Sequence, residues 1–296
     1  MKIVGFIGLG HMGSPMVKNL LRNRYQVKVF DINEAATREL VSVGAIAAKT
    51  PAEIAQDADI VITMLQTGDQ VKKSCLGEQG IFAHLNKPYA LFIDCSSIDV
   101  QTSRQLHVEA KLRGIAMLDA PVSGGAIGAE NATLTFMVGG DEQYVKRAES
   151  LLNAMGKKIV HAGSAGCGAA AKICNNMILG ISMVAVCEAF GLADKIGLDP
   201  KKLFEISSNA SGQCWALNNC CPWPNILPNV PSSHDYQPGF SAKMMLKDLK
   251  LSQDAAEEVH ATTPLGKQAM ELYQQFVNSN NTEIDFSGIV KMITGS

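Results

Sequence analysis

Short apolar runs alternate with amphipathic segments over the first half of the chain. Seven runs have the length and the β-branched content of strands: "KIVGFIGL", "QVKVFD", "ADIVITML", "ALFIDCS", "IAMLDAPV", "LTFMVGG" and "KKIVHAG". Between them lie helical patterns at residues 11–23, 33–43 and 141–154, and the last one begins at Asp141, a residue type favoured at the N-cap. This alternation predicts an α/β domain with a doubly wound, mainly parallel sheet and helices on both faces.

The strand pattern stops after "HAGSAGCG", and the rest of the chain predicts helices. The exception is a stretch rich in Pro and Asn at residues 218–240. We expect it to be an ordered irregular loop, because Trp223, Ile226, Leu227 and Tyr236 can anchor it. The change of pattern near Ser164 predicts two domains, residues 1–163 and an all-α domain at residues 164–296.

The stretch "GCGAAAKICNNMILG" opens an unusually apolar helical pattern. Beginning near Gly168, apolar residues occupy every side for about six turns, which predicts burial all round, between domains or between subunits. We therefore expect a homodimer or a homotetramer. The most apolar part, residues 177–193, is shorter than a membrane span and contains Glu188, so it predicts a buried helix.

Composition narrows the classes of partner. The 296 residues are 47% hydrophobic, enough for well-packed cores, and the net charge is -2 without any basic block. This balance argues against nucleic acid or an anionic membrane as the main partner and favours small molecules. Met1 leads directly into a strand pattern, which leaves no room for a targeting segment in this chain.

The eight cysteines form neither a CxxC pair nor a Cys/His ligand spacing. They are typical of reduced thiols in a cytoplasmic compartment, and disulfides or a zinc site are the less favoured alternatives. The sequence thus predicts no metal site.

A glycine-rich turn follows the first strand. In "GFIGLGHMGSPM", Gly8, Gly10 and Gly13 have the spacing GxGxxG and stand directly before a helix. Such glycines permit a tight turn, close approach of the backbone to a pyrophosphate, and close packing of helix against strand. Asp31 ends the second strand, where a carboxylate accepts the ribose hydroxyls and repels a 2′-phosphate. The combination predicts a Rossmann-type domain that binds NAD; a glycine turn with a helix-capping acid is the alternative.

Two further strand ends, at residues 63–71 and 94–98, fall where a doubly wound sheet contacts its ligand. Ser96 and Ser97 there have two interpretations of equal weight. They contact ribose or nicotinamide, or they cap the following helix.

Candidate chemistry lies in two later motifs. In "LDAPVSGG", Ser123, Gly124 and Gly125 follow directly after a predicted strand, where a hydroxyl and two backbone amides can bind one anion. The alternative is that SGG is a flexible turn. Gly168, Lys172 and Asn176 recur every four residues and share one helix face.

An amine on that face suits the oxidation of an alcohol. Hydride leaves the carbinol carbon as the hydroxyl proton is removed, so the amine of Lys172 serves as general base. Burial among apolar residues beside a cationic nicotinamide is expected to lower the pKa of Lys172 from near 10.4. The alternatives are that Lys172 pairs with a buried carboxylate or extends to the surface. Nothing in the pattern assigns Asn175.

Four stretches together, "GFIGLGHMGSPM", "DAPVSGG", "GCGAAAKICNNM" and "KMMLKDLKLSQDAA", resemble the β-hydroxyacid dehydrogenase family over essentially the whole chain. The resemblance implies that Lys172 is catalytic and that the substrate is bound by Ser123, Gly124, Gly125, Asn176 and Trp215. It further implies an NAD site formed by Gly8, Leu9, Gly10, His11, Met12, Gly13, Asp31, Leu65, Gln66, Ser97 and Lys247. By pattern alone, Lys247 belongs to a solvated helix face and Trp215 fits an ordinary core.

Three positions depart from the family's usual residues: His11 stands for Asn, Gln66 for Pro and Ser97 for Thr. They bear on cofactor affinity more than on reaction type. The activity that the resemblance implies is NAD-dependent oxidation of 3-hydroxyisobutyrate to methylmalonate semialdehyde in valine catabolism. Alternatives are reduction of tartronate semialdehyde, glyoxylate or succinic semialdehyde, with NADPH as a further possibility, or a non-catalytic dinucleotide-binding module.

Overall fold

The computed structural model describes residues 2–295. The chain divides into two compact units, Met1–Lys172 and Ile173–Ser296. The division lies inside one long helix, whereas the sequence predicts it at residues 163/164, before that helix begins.

A nine-stranded sheet forms the centre of the first unit, in the order β3-β2-β1-β4-β5-β6-β8-β7 with β9 paired to β8. The strands are β1 (Ile3–Ile7), β2 (Gln26–Phe30), β3 (Ile46–Ala47), β4 (Ile60–Thr63), β5 (Leu91–Asp94), β6 (Ala116–Asp119), β7 (Val122–Ser123), β8 (Leu134–Gly140) and β9 (Gly156–Gly163). Strands β1 to β6 pair in parallel, β8 runs antiparallel to β6 and β7, and β9 is parallel to β8. The predicted mainly parallel, doubly wound sheet is confirmed.

All seven predicted strands are present, and the two-residue strands β3 and β7 are additional. The helices of this unit are α1 (Gly13–Arg22), α2 (Glu34–Ser42), α3 (Pro51–Ala55), α4 (Gly68–Cys75), α5 (Ile81–His84), α6 (Val100–Leu112), α7 (Gly125–Glu130) and α8 (Glu142–Asn153). Asp141 caps α8 as predicted, because its carboxylate accepts the amide of Gln143 at 2.9 Å.

The strand residues of the first unit supply two buried apolar clusters. Alternate positions of a strand point to opposite faces, so Phe6 and Ile62 lie in one cluster while Ile7 and Val61 lie in the other. The parallel strands are buried on both faces, which explains why their sequences are nearly continuous apolar runs.

The second unit is helical, as predicted. Its helices follow α9 (Cys167–Lys195), which begins in the first unit; they are α10 (Pro200–Ser207), α11 (Trp215–Cys220), α12 (Ala242–Glu258), α13 (Pro264–Asn278) and α14 (Val290–Thr294). They enclose a core with Phe190, Tyr273 and Phe276 at its centre.

The Pro- and Asn-rich stretch is an ordered loop, as predicted, from residue 221 onward and contains one 3-10 turn at Pro231–Ser233, whereas residues 218–220 are the end of α11. Trp223 stacks on Phe190 with ring centroids 5.8 Å apart. The buried Tyr236 donates its hydroxyl to the carbonyl of Pro222 at 2.9 Å, and Ser232 donates to the carbonyl of Cys221 at 2.7 Å. These contacts satisfy the backbone where no regular element does so.

Helix α9 has 29 residues, longer than the apolar run read from the sequence. By length and composition it could cross a membrane, and 39% of its most apolar window is buried within this chain. Ile178 and Leu192 are exposed in the single chain, so this chain alone does not bury α9 on every side as the sequence predicts.

All eight cysteines are free thiols. Burial raises the pKa of the Cys75, Cys95 and Cys187 thiols well above the ordinary value, which makes them unreactive. Within residues 2–295, His, Cys, Asp and Glu form no group of three or more that could hold a metal ion.

Candidate active site

The turn between β1 and α1 gives each of its three glycines a separate task. Gly8 has φ +96°, and a Cβ there would lie 2.2 Å from the carbonyl oxygen of Met64. A Cβ on Gly13 would lie 1.9 Å from the carbonyl oxygen of Gly8. A Cβ on Gly10 would meet nothing within 4 Å, so this position faces open space. Two glycines thus close the turn, and the third leaves room for a phosphate to approach the backbone.

Asp31 connects the end of β2 to this turn. One of its carboxylate oxygens accepts the amide of Leu9 at 2.6 Å, and the other accepts the amide of Asn33 at 2.7 Å. The neighbouring Ile32 side chain is almost fully exposed and supplies no positive charge. The carboxylate therefore lies against the glycine turn, where the ribose of a dinucleotide is expected. The other residues of the turn, His11 and Met12, are exposed and half-buried respectively.

The parallel strands β1, β4 and β5 end at the same edge of the sheet, so the predicted residues behind them share that edge. Leu65 and Gln66 follow β4, and Ser96 and Ser97 follow β5. The buried Ser96 hydroxyl accepts the amide of Leu65 at 2.8 Å and so ties the two strand ends together. Neither serine caps α6, because Asp99 does so by accepting the amide of Thr102 at 2.7 Å; the capping interpretation is wrong.

Asp94 underlies this edge. Its carboxylate is buried and accepts the Thr63 hydroxyl at 2.8 Å and the Ser96 amide at 3.1 Å. Burial, assisted by repulsion from Asp119, raises the pKa of Asp94 to about 6, although the hydrogen bonds oppose the shift.

The SGG motif forms the junction of β7 and α7. Ser123 ends β7 and is half-buried, while Gly124 has φ +137° and Gly125 has φ +63°. Both glycines are in backbone conformations that side chains disfavour, so the turn requires them. The motif is therefore a defined turn near the carboxyl end of β6.

Helix α9 begins against the same end of β6. A Cβ on Gly168 would lie 2.4 Å from the carbonyl oxygen of Met137 and 2.5 Å from that of Asp119. The absence of a side chain at Gly168 thus lets the backbone of β6 and β8 come close to the start of α9. Lys172 follows one turn later and is 8% exposed. Asn176, four residues on in the same helix, is 2% exposed, so both polar side chains of the predicted face are buried.

In the second unit, Asn176 is held from two sides. Its amide oxygen accepts the side-chain amide of Asn175 at 2.9 Å, and its nitrogen donates to Asp248 at 2.5 Å. The side chain of Asn175, which the sequence left unassigned, therefore orients Asn176. Sequence reasoning missed Asp248, whose only signal was its place beside Lys247.

Asp248 is itself unusual, since its Oδ1 is buried without a hydrogen-bond partner and lies 3.5 Å from the amine of Lys247. That amine is half-buried, unlike the exposed Lys243 one turn earlier, so Lys247 does not belong to a simple solvated face. Trp215 begins α11 and is 54% exposed, which excludes an ordinary core tryptophan within this chain.

Two family models match the chain. Residues 3–163 match the NAD-binding domain of 6-phosphogluconate dehydrogenase, and residues 166–293 match the NAD-binding domain of NADP-dependent 3-hydroxyisobutyrate dehydrogenase.

Curated relatives and solved structures match over nearly the full length. An NAD-dependent L-serine dehydrogenase of Pseudomonas aeruginosa is 45% identical, with 99% of this chain and 98% of the relative covered. A 3-hydroxyisobutyrate dehydrogenase of the same organism is 43% identical, with the same coverage. The structure of a Mycobacterium tuberculosis 3-hydroxyisobutyrate dehydrogenase with L-serine has a TM-score of 0.93 at 42% identity and covers 99% of both chains.

Proposed function

Because this chain belongs to the β-hydroxyacid dehydrogenase family, the family of the 3-hydroxyisobutyrate dehydrogenases, we propose that it oxidises 3-hydroxyisobutyrate to methylmalonate semialdehyde in valine catabolism. The coarser statement, an NAD-dependent hydroxyacid dehydrogenase, follows from the family itself. The observation that supports alcohol oxidation is the buried Lys172, on a helix that begins at the sheet edge bearing the glycine turn. The choice of 3-hydroxyisobutyrate as substrate is supported by the similarity to 3-hydroxyisobutyrate dehydrogenases.

NAD is the cofactor, and the residues present fit it. The open space at Gly10 admits the pyrophosphate to the backbone, and the Asp31 carboxylate suits the hydroxyls of an unphosphorylated ribose. When bound, NAD would supply the hydride acceptor for the oxidation. Leu9, Gly10, His11, Leu65, Gln66 and Ser97 line the same sheet edge in this proposal, and Lys247 is proposed as a further cofactor-binding residue.

Lys172 removes the hydroxyl proton as the carbinol carbon is oxidised, and it returns a proton to the carbonyl oxygen in the reverse reaction. Asn176, held by Asn175 and Asp248, orients the substrate hydroxyl or carboxylate. The hydroxyl of Ser123 and the amides of Gly124 and Gly125 bind the carboxylate, and the exposed Trp215 covers the substrate.

L-serine is the second candidate substrate. It shares a primary hydroxyl and a carboxylate with 3-hydroxyisobutyrate, and an ammonium replaces the methyl group on the carbon between them. A dehydrogenase named for L-serine is 45% identical to this chain, and a structural neighbour was solved with L-serine. The two substrates differ in charge rather than in shape, so discrimination depends on which groups surround that carbon.

Steady-state kinetics test the proposal, on 3-hydroxyisobutyrate and L-serine with NAD and NADP, and on glyoxylate, tartronate semialdehyde and succinic semialdehyde with NADH and NADPH. We expect the highest kcat/KM for 3-hydroxyisobutyrate with NAD, because the ammonium of L-serine loses hydration free energy on binding unless the site supplies it with a partner. A preference for L-serine would transfer the proposal to the second candidate. Turnover confined to glyoxylate, tartronate semialdehyde or succinic semialdehyde with NADPH would contradict it, and no turnover of any substrate would favour a non-catalytic dinucleotide-binding protein.

The remaining proposals concern the setting of the enzyme. We propose a cytoplasmic homo-oligomer, a dimer or a tetramer, with neither nucleic acid nor a membrane as partner. The eight free thiols support the reducing compartment, and the exposed apolar residues of α9 support self-association.

A further inference from the structure

We propose that Asp119, held in turn by His107, is the residue that positions Lys172 for catalysis. It does so by fixing the first turn of α9 to the end of strand β6. This inference rests on the proposed catalytic role of Lys172, and it concerns residues of the first unit only.

The carboxylate of Asp119 is buried at the end of β6 and receives three N–H groups. Its Oδ1 accepts the amide of Gly166 at 2.9 Å, and its Oδ2 accepts the amide of Ala169 at 2.9 Å. The third donor is the imidazole of His107, whose Nε2 lies 2.8 Å from Oδ1. An ionised carboxylate only accepts, so Nε2 carries the proton.

These bonds replace a helix cap that the local sequence cannot supply. The first amides of a helix have no partner within it and are usually satisfied by the side chain of the N-cap residue. Here the residue before α9 is Gly166, which has no side chain, and the acceptor comes from 47 residues earlier in the chain. Asp119 therefore determines where the helix begins.

Two glycines make the close contact possible. A Cβ on Gly139 would lie 2.6 Å from Oδ1 of Asp119 and 2.6 Å from the amide nitrogen of Gly168. A Cβ on Gly168 would lie 2.8 Å from Oδ2. The space around the carboxylate is thus filled by backbone, and the first turn of α9 has no room to shift toward the sheet.

His107 fixes the carboxylate from the side of α6. Its ring is largely buried, with 11% of the side chain exposed, and its bond to Oδ1 crosses from α6 to the end of β6. Without the His107 donor, the hydrogen bonds that remain on the Asp119 carboxylate within residues 2–295 come from the amides of Gly166 and Ala169, the groups that Asp119 positions. We therefore infer that His107 fixes the orientation of Asp119.

Lys172 lies three residues beyond Ala169, about 4.5 Å along the helix axis. If the amides of Gly166 and Ala169 lose their acceptor, the first turn frays and the backbone under Lys172 moves with it. A displacement of about 1 Å at a catalytic group costs on the order of 100-fold in rate.

The test is a cycle of single-turnover hydride transfer rates for the full-length parent, Asp119→Asn, Lys172→Ala and the double variant, with NAD affinity measured in parallel. Asp119→Asn keeps the size of the side chain but turns one of its acceptors into a donor that faces an amide. We expect the rate to fall about 100-fold with unchanged NAD affinity, and no further fall when Lys172 is already Ala.

Three further variants separate positioning from general stability. Asp141→Asn alters a cap of the same kind on α8 and is expected to keep the parental rate, because α8 carries no proposed site residue. His107→Ala is expected to slow the rate, and His107→Gln, which retains an N–H donor, to restore most of it.

The outcomes are distinguishable. A parental rate in folded Asp119→Asn, together with a slow Lys172→Ala variant, overturns the positioning role alone. The same fractional loss from Asp119→Asn in both backgrounds overturns it as well, since it shows that Asp119 does not act through Lys172. A parental rate in Lys172→Ala overturns the catalytic role of Lys172 and the positioning role with it.

Discussion

Asp94 shows how a single buried carboxylate makes the cofactor edge of the sheet sensitive to pH. It holds Thr63 and Ser96, and through Ser96 the amide of Leu65, with no positive charge among these contacts. The low-dielectric surroundings oppose its ionisation, so the architecture of this edge is most stable when Asp94 carries a proton.

The stability of the chain is expected to fall as the pH rises from about 4 through about 6. The pKa of Asp94 is raised from 3.8 to about 6 on folding, so between these values the folded chain binds a proton that the unfolded chain has released. The contribution is about 3 kcal/mol and is fully lost only when the pH is well above the folded-state pKa of about 6.

Asp94→Asn keeps an acceptor for Thr63 and Ser96 but cannot titrate. Urea titrations at pH 4 to 7 measure the unfolding free energy of parent and variant. As the pH rises, the parent should lose stability relative to Asp94→Asn. Asp69→Asn, at an exposed residue of α4, is the control and should parallel the parent. Parallel curves for Asp94→Asn and the parent would contradict the assignment.

At the scale of residues, the sequence identified polar groups but not their partners. Asn176 was predicted as a site residue from its spacing to Lys172, yet its partner Asp248 lies 72 positions away. Asp119 likewise lies in the motif "LDAPVSGG", but that motif was selected from the sequence because of Ser123, Gly124 and Gly125, and Asp119 was assigned no role. Side-chain partners that are distant in sequence are set by packing, which a local pattern does not encode.

At the scale of elements, prediction succeeded where periodicity is long and failed where it is short. The seven apolar runs and the long helix are present, whereas β3 and β7, with two residues each, leave no periodic signal. The face shared by Lys172 and Asn176 follows from helix geometry alone. The close contact of the helix start with β6 and β8 had only the glycines as a signal.

Gly168→Ala is expected to damage this contact. The added methyl group would meet two carbonyl oxygens and the Asp119 carboxylate, so the helix start must shift. We expect a loss of about 1–3 kcal/mol in unfolding free energy, as for other overpacked sites, and a fall in kcat. Urea titration and steady-state kinetics measure both.

Gly212→Ala is the matched control, because a Cβ there would lie 3.8 Å from its nearest neighbour. It should leave stability and kcat close to the parent. Equal behaviour of the two alanine variants would show that the start of α9 tolerates displacement, against the packing described above.

At the scale of the whole molecule, the exposed apolar surface of the second unit remains to be accounted for. A groove of about 320 Å³ between α9, α10 and α11 is lined mostly by apolar residues, among them Val186, Phe190 and Leu203. Leu192 and Ile206, on α9 and α10, are also exposed. The sequence pattern of α9 predicted an oligomer for a related reason, since a helix that is apolar on every side must be covered by other protein surface.

We expect Ala189→Glu, which introduces a carboxylate into this groove, to shift the protein toward monomers. Sedimentation velocity measures the shift, and circular dichroism should show an unchanged fold because Ala189 is exposed in the single chain. Leu112→Glu, at an exposed position of α6, should leave the association unchanged. A parent chain that sediments as a monomer would contradict the proposed oligomer.

The cap that Asp119 supplies to α9 also has a consequence for the order of folding. Local helix turns form within microseconds, but this one depends on an acceptor 47 residues away in a parallel sheet, a topology that assembles slowly. During refolding, the apolar part of α9 can become helical early, before Asp119 is in place to accept the amides of the first turn. Competence for catalysis should therefore return together with the sheet rather than with the helical content.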